Sequence, residues 1–154
     1  MIGLSIRSRA PAASCPAVRK VMIANQSTNT APERLLRSEL FRAGIRFRRN
    51  VRPIAKLKCE ADIVLRNHRL CVFVDGCFWH GCPKHFGCPK TNSSWWNEKI
   101  AATKARDRSQ SASLKAAGWT VVRIWEHEIA PTKVASVVKR IREKFGDRRN
   151  VPSN

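Results

Sequence analysis

The stretch Phe73-Val-Asp-Gly-Cys-Phe-Trp-His-Gly-Cys-Pro-Lys-His-Phe-Gly-Cys88 decides the fold of this chain. It continues an apolar run that begins at Leu70, and it carries three cysteines, two histidines, one acid and a Phe-Trp pair. An apolar run that ends in Asp-Gly is typical of a buried strand that stops at a turn. We therefore expect the side chains that follow to be held at the edge of a sheet by a fixed backbone.

Strands are predicted on both sides of this stretch. Two apolar runs, residues 59–65 and 69–75, are joined by the polar Arg66-Asn-His68 and predict an antiparallel hairpin. Residues 45–51 alternate apolar residues with arginines, as a half-exposed strand does. Residues 119–125 form the most β-prone run and predict a central strand that lies beside residues 69–75.

Three helices are predicted around these strands. Thr30-Ala-Pro-Glu33 matches a capping box, and the helix that it starts ends at Gly44. Asn92-Ser-Ser predicts the start of a long helix over residues 95–117, and a final amphipathic helix is predicted over residues 132–145. This order of elements predicts an α/β fold with a small mixed sheet flanked by helices.

The length and composition indicate one domain, which we place at residues 27–146. Residues 1–26 are rich in Ala, Ser, Pro and Arg, so we expect a flexible basic arm, and residues 147–154 are expected to form a loose basic tail. No apolar run reaches the roughly 18 residues of a membrane span, and no signal peptide is evident. We therefore expect a cytoplasmic protein, in which clustered cysteines bind metal more often than they form disulfides.

The charge of the chain is strongly one-sided. Lys and Arg total 30 against 11 Asp and Glu, which gives a formal net charge of +19. Surfaces normally mix the two signs, so a merely basic surface is the weaker of two interpretations. The stronger interpretation is a polyanionic partner, and nucleic acid is the first candidate.

The cysteines and histidines have the spacing of a metal site. Four, two and two residues separate Cys77, Cys82, His85 and Cys88, so several soft ligands come within reach of one tetrahedral ion. His127 follows the last predicted strand and is either a further ligand or an unrelated surface histidine. The pattern predicts a zinc ion that fixes a long loop to the end of a strand.

Asp62 and His80 are candidates for catalysis. A carboxylate inside an apolar strand requires a metal, a cation or a helix N-terminus as its partner, unless it simply faces water. His80 is either a spare zinc ligand or a free imidazole. An isolated acid and an imidazole suit hydrolysis of a phosphodiester, in which the acid holds Mg²⁺ and the imidazole deprotonates or orients water.

Phe78 and Trp79 place two large apolar side chains on the same loop. Such side chains either enter the base stack of a nucleic acid or form a satellite core beneath the loop, and the sequence favours neither interpretation.

Several of these residues together resemble the very short patch repair (Vsr) endonucleases. The resemblance covers residues 22–129 and rests on Asp62, Phe73 to His80, Trp96 to Ile100, Arg106-Asp-Arg108 and Gly118 to Glu126. It implies a restriction-endonuclease-like core with a structural zinc. It also implies an enzyme that uses Mg²⁺ to nick one DNA strand 5′ of the thymine in T:G mismatches, which arise when 5-methylcytosine deaminates.

The resemblance also implies roles for individual residues. It makes Asp62 the carboxylate ligand of Mg²⁺ together with the backbone carbonyl of Val74, His80 the general base, and Glu33 an acid that acts through the water shell of the metal. The aromatic residues that enter the DNA beside the mismatch are Phe78, Trp79 and Trp96. The zinc ligands that it implies are Cys77, Cys82, His85 and His127.

The chain departs from the family pattern at three places. Cys88 is an additional candidate ligand that could replace His85 or His127 at zinc. Asp75 stands where some relatives have a histidine, so its charge is expected to alter metal affinity. Residues 22–29 are less basic than is usual in the family, so arm contacts to DNA are expected to be weaker. The sequence leaves open whether residues 1–21 belong to the working protein.

The partner implied by the resemblance is double-stranded DNA that contains a T:G mismatch. A cytosine-5 methyltransferase and the general mismatch-repair proteins are implied as functional partners, and the enzyme is expected to be a monomer associated with the bacterial nucleoid. Two rival functions remain open. One is a restriction-type nuclease of the same fold without mismatch preference, and the other is a non-catalytic zinc-containing DNA-binding module.

Overall fold

The computed structural model of the protein describes residues 28–146 and the isolated positions 11, 12, 16 and 20. The predicted tail lies outside the described residues, as does the predicted arm apart from those positions. The described helices are α1 (Ala31–Arg42), α2 (Ser93–Ala116) and α3 (Val134–Gly146). The strands are β1 (Arg48–Val51), β2 (Ala61–Leu65), β3 (Leu70–Asp75) and β4 (Thr120–Trp125).

The four strands form one mixed sheet in the order β1-β2-β3-β4. The β1 and β2 strands pair antiparallel, as do β2 and β3, whereas β3 and β4 pair parallel. The predicted mixed sheet, the hairpin and the neighbour relation of the last two strands are confirmed. The prediction that residues 119–125 form a central strand is wrong, because β4 lies at the edge of the sheet and, among the described strands, pairs with β3 alone. High β-propensity reports how side chains pack on a sheet and does not fix the position of the strand within it.

The register of the sheet brings the residues of the candidate site together at one end of the strands, where β3 and β4 stop. The β2–β3 hairpin turns through Arg66–His68, which form one turn of 3₁₀-helix, and Leu65 pairs with Leu70 at the turn. Asp62 therefore lies at the opposite end of the hairpin, near the end of β3. Because β4 runs parallel to β3 and Asp75 pairs with Trp125, the chain after β4 also leaves the sheet at this end of the strands.

The two faces of the sheet are covered by different helices. One core lies between the sheet and helices α1 and α3, and includes Leu36, Leu40, Ile63, Ile124 and Ile141. The other core lies on the side of α2, and includes Cys71, Phe73 and Leu114. The sheet is thus the middle layer of a three-layer α/β arrangement.

The starts of the helices follow the predicted caps with one difference. Thr30 is the N-cap of α1, and its hydroxyl oxygen accepts a hydrogen bond from the backbone N–H of Glu33. The Glu33 carboxylate in turn accepts from the Thr30 hydroxyl and from the backbone N–H of Asn29. Asn92 precedes α2 as predicted, but its left-handed backbone (φ 57°) is not the extended N-cap conformation, and its side chain makes no capping bond. None of the helices in the described ranges is long and apolar enough to cross a bilayer.

Candidate active site and metal centre

The Asp62 carboxylate lies where β2 meets the end of β3. Its Oδ2 atom accepts a hydrogen bond of 2.7 Å from the backbone N–H of Val74, so it does not simply face water. Burial raises the pKa of Asp62 to about 6, with further raising by the charges of Glu33 and Asp75. The hydrogen bond from Val74 and the charge of Arg37 oppose this shift only in part. The site therefore has an excess of negative charge that a cation can relieve.

Glu33 supplies the second acid of this region. It is buried at the start of α1, where the capping contacts with Asn29 and Thr30 fix its carboxylate. The buried Arg37 lies one turn further along α1, with its guanidinium 3.5 Å from Glu33 and 2.5 Å from the side-chain oxygen of Asn29. Asp62 and Glu33 offer carboxylate oxygens, the kind of ligand that Mg²⁺ takes directly or through its bound waters.

His80 is held by acids from two other elements. Its Nδ1 atom lies 2.6 Å from Oδ2 of Asp107 on α2 and 3.6 Å from Oδ1 of Asp75 at the end of β3. An ionised Asp107 accepts the hydrogen of Nδ1, and this leaves the lone pair of a neutral imidazole on Nε2. A histidine held in this way can accept a proton from water at its outer nitrogen.

Arg123 on β4 connects the two acids beside His80. Its guanidinium nitrogens lie 3.0 Å from Asp75 and 3.4 Å from Asp107. Burial raises the pKa of Asp75, while the charge of Arg123 and then that of His80 favour its ionised form. The additional acid noted in the sequence therefore has its own counter-charge. It still contributes to the raised pKa of Asp62, which is consistent with an effect on metal affinity.

Sequence reasoning did not assign roles to Asp107, Arg123 or Arg37. A pattern that identifies Asp107 is present in the sequence: α2 buries Ile100, Asp107 and Leu114, which follow one another at intervals of seven residues on one face. An acid within a buried apolar stripe requires a partner. Arg123 offers a comparable pattern, because it interrupts the apolar strand β4.

A second group of side chains lies at the same end of the sheet, just after strands β3 and β4. Cys77, Cys82, His85 and His127 place their ligand atoms within 4.8 Å of one another. The Cys77 sulfur is 3.1 Å from Nδ1 of His127 and 3.9 Å from Nδ1 of His85. The Cys82 sulfur is 3.7 Å from Nδ1 of His85 and 3.8 Å from Nδ1 of His127. A tetrahedral zinc, with Zn–S bonds of about 2.3 Å and Zn–N bonds of about 2.0–2.1 Å, requires sulfur–nitrogen separations of about 3.6 Å. Three of the four separations lie close to this value, and the Cys77–His127 pair, at 3.1 Å, would have to open by about half an ångström to hold the ion.

The Cys77 thiol has to lose its proton before it can bind a metal ion. Burial raises the pKa of Cys77 to about 11, so without a cation this thiol stays protonated and a bound metal ion must displace its proton. The exposed Cys88 is not part of the group, because its sulfur lies against the backbone oxygens of Pro89 and Ser93. The geometry thus favours His85 and His127 over Cys88 as ligands.

The group joins two distant parts of the chain. Cys77 and Cys82 belong to the loop after β3, whereas His127 lies in the 3₁₀ turn Glu126–Glu128 after β4. The backbone N–H of Cys77 also donates to the Glu126 carboxylate at 2.7 Å. A metal ion would therefore cross-link the loop to the end of the parallel strand pair.

We predict that Cys82→Ser removes one equivalent of zinc from the purified protein and lowers its melting temperature by several degrees. The reason is that metal binding supplies folding free energy to a loop with little core of its own. Metal analysis by mass spectrometry and thermal unfolding measure the two effects. Cys88→Ser is the matched control and should retain the zinc and the stability. Well-folded wild-type protein without zinc would disprove the assignment.

The aromatic residues of the loop form a cluster with α2. The ring centroid of Phe78 lies 5.2 Å from those of both Trp79 and Trp96, and 5.7 Å from that of Phe86. Trp96 is buried with 6% of its surface exposed, Phe78 is partly buried, and Trp79 is 37% exposed. The packing of the cluster agrees with a satellite core beneath the loop, and the exposed position of Trp79 agrees with entry into a base stack.

The known proteins that this chain resembles in sequence are endonucleases that act on DNA or nicking enzymes. Residues 15–85 match the sequence model of a family described as DNA mismatch endonuclease Vsr. The type II nicking enzyme V.NaeI of Lentzea aerocolonigenes is 44% identical over 119 residues, which cover 76% of this chain and 72% of that enzyme. The DNA mismatch endonuclease Vsr of Escherichia coli is 37% identical over 112 residues, which cover 70% of this chain and 67% of that enzyme.

A solved structure has the same fold. The catalytic domain of the homing endonuclease I-Bth0305I matches with a TM-score of 0.51, and the match covers 77% of this chain and 97% of that domain. The sequences are 17% identical, so the likeness concerns the fold alone. The predicted restriction-endonuclease-like core is confirmed.

Proposed function

Because the chain belongs to the Vsr family of endonucleases, which act on the phosphodiester bonds of DNA, we propose that it nicks duplex DNA 5′ of the thymine in T:G mismatches. These mismatches arise when 5-methylcytosine deaminates, so the enzyme would start very short patch repair. The observation that supports this proposal best is that Asp62 and the His80–Asp107 pair lie at the same end of the sheet, with Asp75 close enough to act on both Asp62 and His80. An acid that requires a cation and an imidazole with a free outer nitrogen are the two groups that metal-assisted hydrolysis requires.

The acids of the site have the role of holding the catalytic metal ion. Asp62 and the backbone carbonyl of Val74 are its proposed ligands, and Glu33 is proposed to act through its bound waters. A bound Mg²⁺ supplies positive charge to the phosphate that is attacked and to the oxygen that leaves. The raised pKa of Asp62 indicates that this carboxylate is poorly satisfied without a cation.

His80 has the role of general base. Asp107 fixes the hydrogen at Nδ1, so Nε2 can take a proton from the attacking water. The imidazolium that forms is stabilised by Asp107. The zinc group is not proposed to take part in this step, because its role is to hold the loop that carries His80.

DNA recognition is proposed to divide between charge and aromatic contact. The excess of Lys and Arg would bind phosphates of any duplex, so affinity should fall steeply with salt, with a log-log slope of about −0.9 per phosphate contact. Trp79 would enter the base stack beside the mismatch with Phe78. The resemblance also places Trp96 in the DNA, but Trp96 is 6% exposed in the free protein, so we propose that it supports the other two from below. A T:G wobble pair stacks less well than a matched pair, so opening the stack beside it costs less free energy.

We predict that Trp79→Ala lowers the nicking rate on T:G duplex roughly 5- to 150-fold, since loss of one stacking contact costs about 1–3 kcal/mol. Affinity for matched duplex and its salt dependence should change little. The measurements are single-turnover nicking and fluorescence binding over a range of salt concentrations. Phe41→Ala is the matched control, because Phe41 is 62% exposed on α1 and belongs to none of the groups assigned to the site. Equal losses on both duplexes would make Trp79 a packing residue.

The proposed function is tested by nicking of three labelled duplexes that differ in one base pair. A duplex with T:G should be nicked 5′ of the thymine in the presence of Mg²⁺ and zinc-loaded enzyme, whereas T:A and C:G duplexes should stay intact. Several relatives are named as type II nicking enzymes, a name that mentions no mismatch, so the second candidate is a nicking enzyme of the same fold without mismatch preference. Equal nicking of a matched duplex would support that candidate. Tight binding without nicking would support the non-catalytic DNA-binding module.

The remaining parts of the proposal concern the setting of the enzyme. A protein that repairs deaminated 5-methylcytosine depends on a cytosine-5 methyltransferase to make the methylated base whose deamination gives the mismatch, and on general mismatch-repair proteins to complete the process. We propose a monomer in the cytoplasm that associates with the nucleoid.

A further inference from the structure

Arg123 lies among the acids beside His80, and nothing in the proposed mechanism uses it directly. One guanidinium nitrogen lies 3.0 Å and 3.2 Å from the two carboxylate oxygens of Asp75. A second nitrogen lies 3.4 Å from Oδ1 of Asp107. The other oxygen of Asp107, Oδ2, is the one that contacts His80. The guanidinium therefore contacts one oxygen of Asp107 and the imidazole contacts the other.

The guanidinium is itself held in place by β3 and α2. Its central carbon lies 4.6 Å from the centre of the Phe73 ring, and its Nε–H donates to the Ser111 hydroxyl at 3.3 Å. A planar group with five directional donors can satisfy these contacts together with both carboxylates. A lysine ammonium is a single point charge and cannot do so.

Two acids compete for one nitrogen of His80. Oδ1 of Asp75 lies 3.6 Å from Nδ1, which is only about half an ångström beyond hydrogen-bond distance. Nδ1 of a neutral imidazole carries a single hydrogen, so it can serve one carboxylate well. If Arg123 were absent, the buried Asp75 would lose its main counter-charge, and the imidazole would be its nearest remaining partner.

We propose that Arg123 is a positioning residue that holds the Asp75 carboxylate away from His80. Asp107 is then the acid that orients the imidazole toward the attacking water. The same three side chains, Asp75, His80 and Asp107, have ligand atoms within 4.8 Å of one another, a set that could otherwise hold a metal ion. The guanidinium supplies positive charge there without occupying the imidazole.

The test rests on the proposed function only in that the wild-type enzyme must nick some duplex, matched or mismatched. Arg123→Met keeps the apolar stem against Phe73 and removes the charge. We expect its single-turnover nicking rate per folded molecule to fall at least tenfold, with less than a threefold change in DNA affinity. Arg42→Met is the control, because Arg42 forms an exposed ion pair with Glu39 and no contact with these acids. A rate within threefold of wild type for Arg123→Met would overturn the proposal.

A double variant separates positioning from a merely structural role. In Arg123→Met/Asp75→Asn the competing carboxylate is absent, so the nicking rate should recover at least tenfold relative to Arg123→Met. A double variant as slow as Arg123→Met would overturn the proposal. If Arg123→Met does not fold, Arg123→Lys takes its place, and a wild-type rate for Arg123→Lys would show that a point charge suffices and overturn it too.

The same variants keep the two proposals distinguishable. If the wild-type enzyme nicks no DNA, the proposed function fails. Thermal unfolding without DNA then still tests the pairing of Asp75 with Arg123, since the double variant should regain melting temperature that Arg123→Met loses. Melting temperatures that simply add would overturn the pairing.

Discussion

Asp62→Asn is expected to abolish nicking and at the same time to stabilise the metal-free protein above pH 6. The asparagine oxygen can still accept the hydrogen bond from Val74, but it lacks the charge that holds Mg²⁺. We expect the nicking rate to fall by at least about 10³, since the metal supplies several kcal/mol of transition-state stabilisation. Binding of T:G duplex should persist.

The expected gain in stability follows from the pKa of Asp62, which rises from 3.8 to about 6 in the folded protein. A folded carboxyl with a raised pKa binds its proton more tightly than the unfolded chain does, so its ionisation destabilises the fold. This destabilisation is absent below pH 3.8, develops as the pH rises to about 6, and is complete above it. Two pKa units correspond to about 3 kcal/mol at most. Asp62→Asn should therefore be more stable than wild type at pH 8, and the difference should shrink toward pH 4.

Chemical denaturation at several pH values, with and without Mg²⁺, measures this effect. Mg²⁺ should stabilise the wild type and leave Asp62→Asn unchanged, because only the wild type has the anionic ligand. Glu39→Gln is the control for loss of a surface carboxylate that pairs with Arg42. If Mg²⁺ stabilises Asp62→Asn as much as wild type, Asp62 is not the metal ligand.

The sequence predicts the elements of this fold well because local patterns determine them. The Asp-Gly end of β3, the polar turn before it and the Thr30 cap each depend on residues within a few positions of one another. The position of β4 at the edge of the sheet depends on pairing with β3 across some fifty residues, and no local pattern contains that information. The failure of Asn92 to cap α2 likewise depends on its left-handed backbone, which the residue type allows but does not dictate.

The candidate site divides in the same way. Cys77, Cys82, Asp62 and His80 are recognisable because their spacing or their polarity contrasts with neighbouring residues. The choice of His85 and His127 over Cys88 required the loop conformation, which turns the Cys88 sulfur toward Ser93. The burial of Trp96 beneath Phe78 and Trp79 is also a tertiary result, because adjacent aromatics in a helix do not reveal which one faces the core.

Asp107→Asn is expected to lower the nicking rate on the order of 10³- to 10⁴-fold without unfolding the protein. An amide can turn its NH₂ group toward Nδ1 of His80, which would place the imidazole hydrogen on Nε2 and remove the lone pair that accepts a proton from water. The comparable change beside the histidine of a serine protease costs about 10⁴ in rate. Single-turnover nicking and DNA affinity should therefore separate, with a large loss in rate and a small change in binding.

A double variant tests whether Asp107 acts through His80. His80→Ala alone removes the base, so adding Asp107→Asn should cause little further loss, because residues that act as one unit have non-additive effects. Glu98→Gln on the exposed face of α2 is the matched control for an acid-to-amide change in the same helix. If the two losses multiply in His80→Ala/Asp107→Asn, the acid does not act through the imidazole. Its position 2.6 Å from Nδ1 would then belong to the packing of α2 against the loop rather than to proton transfer.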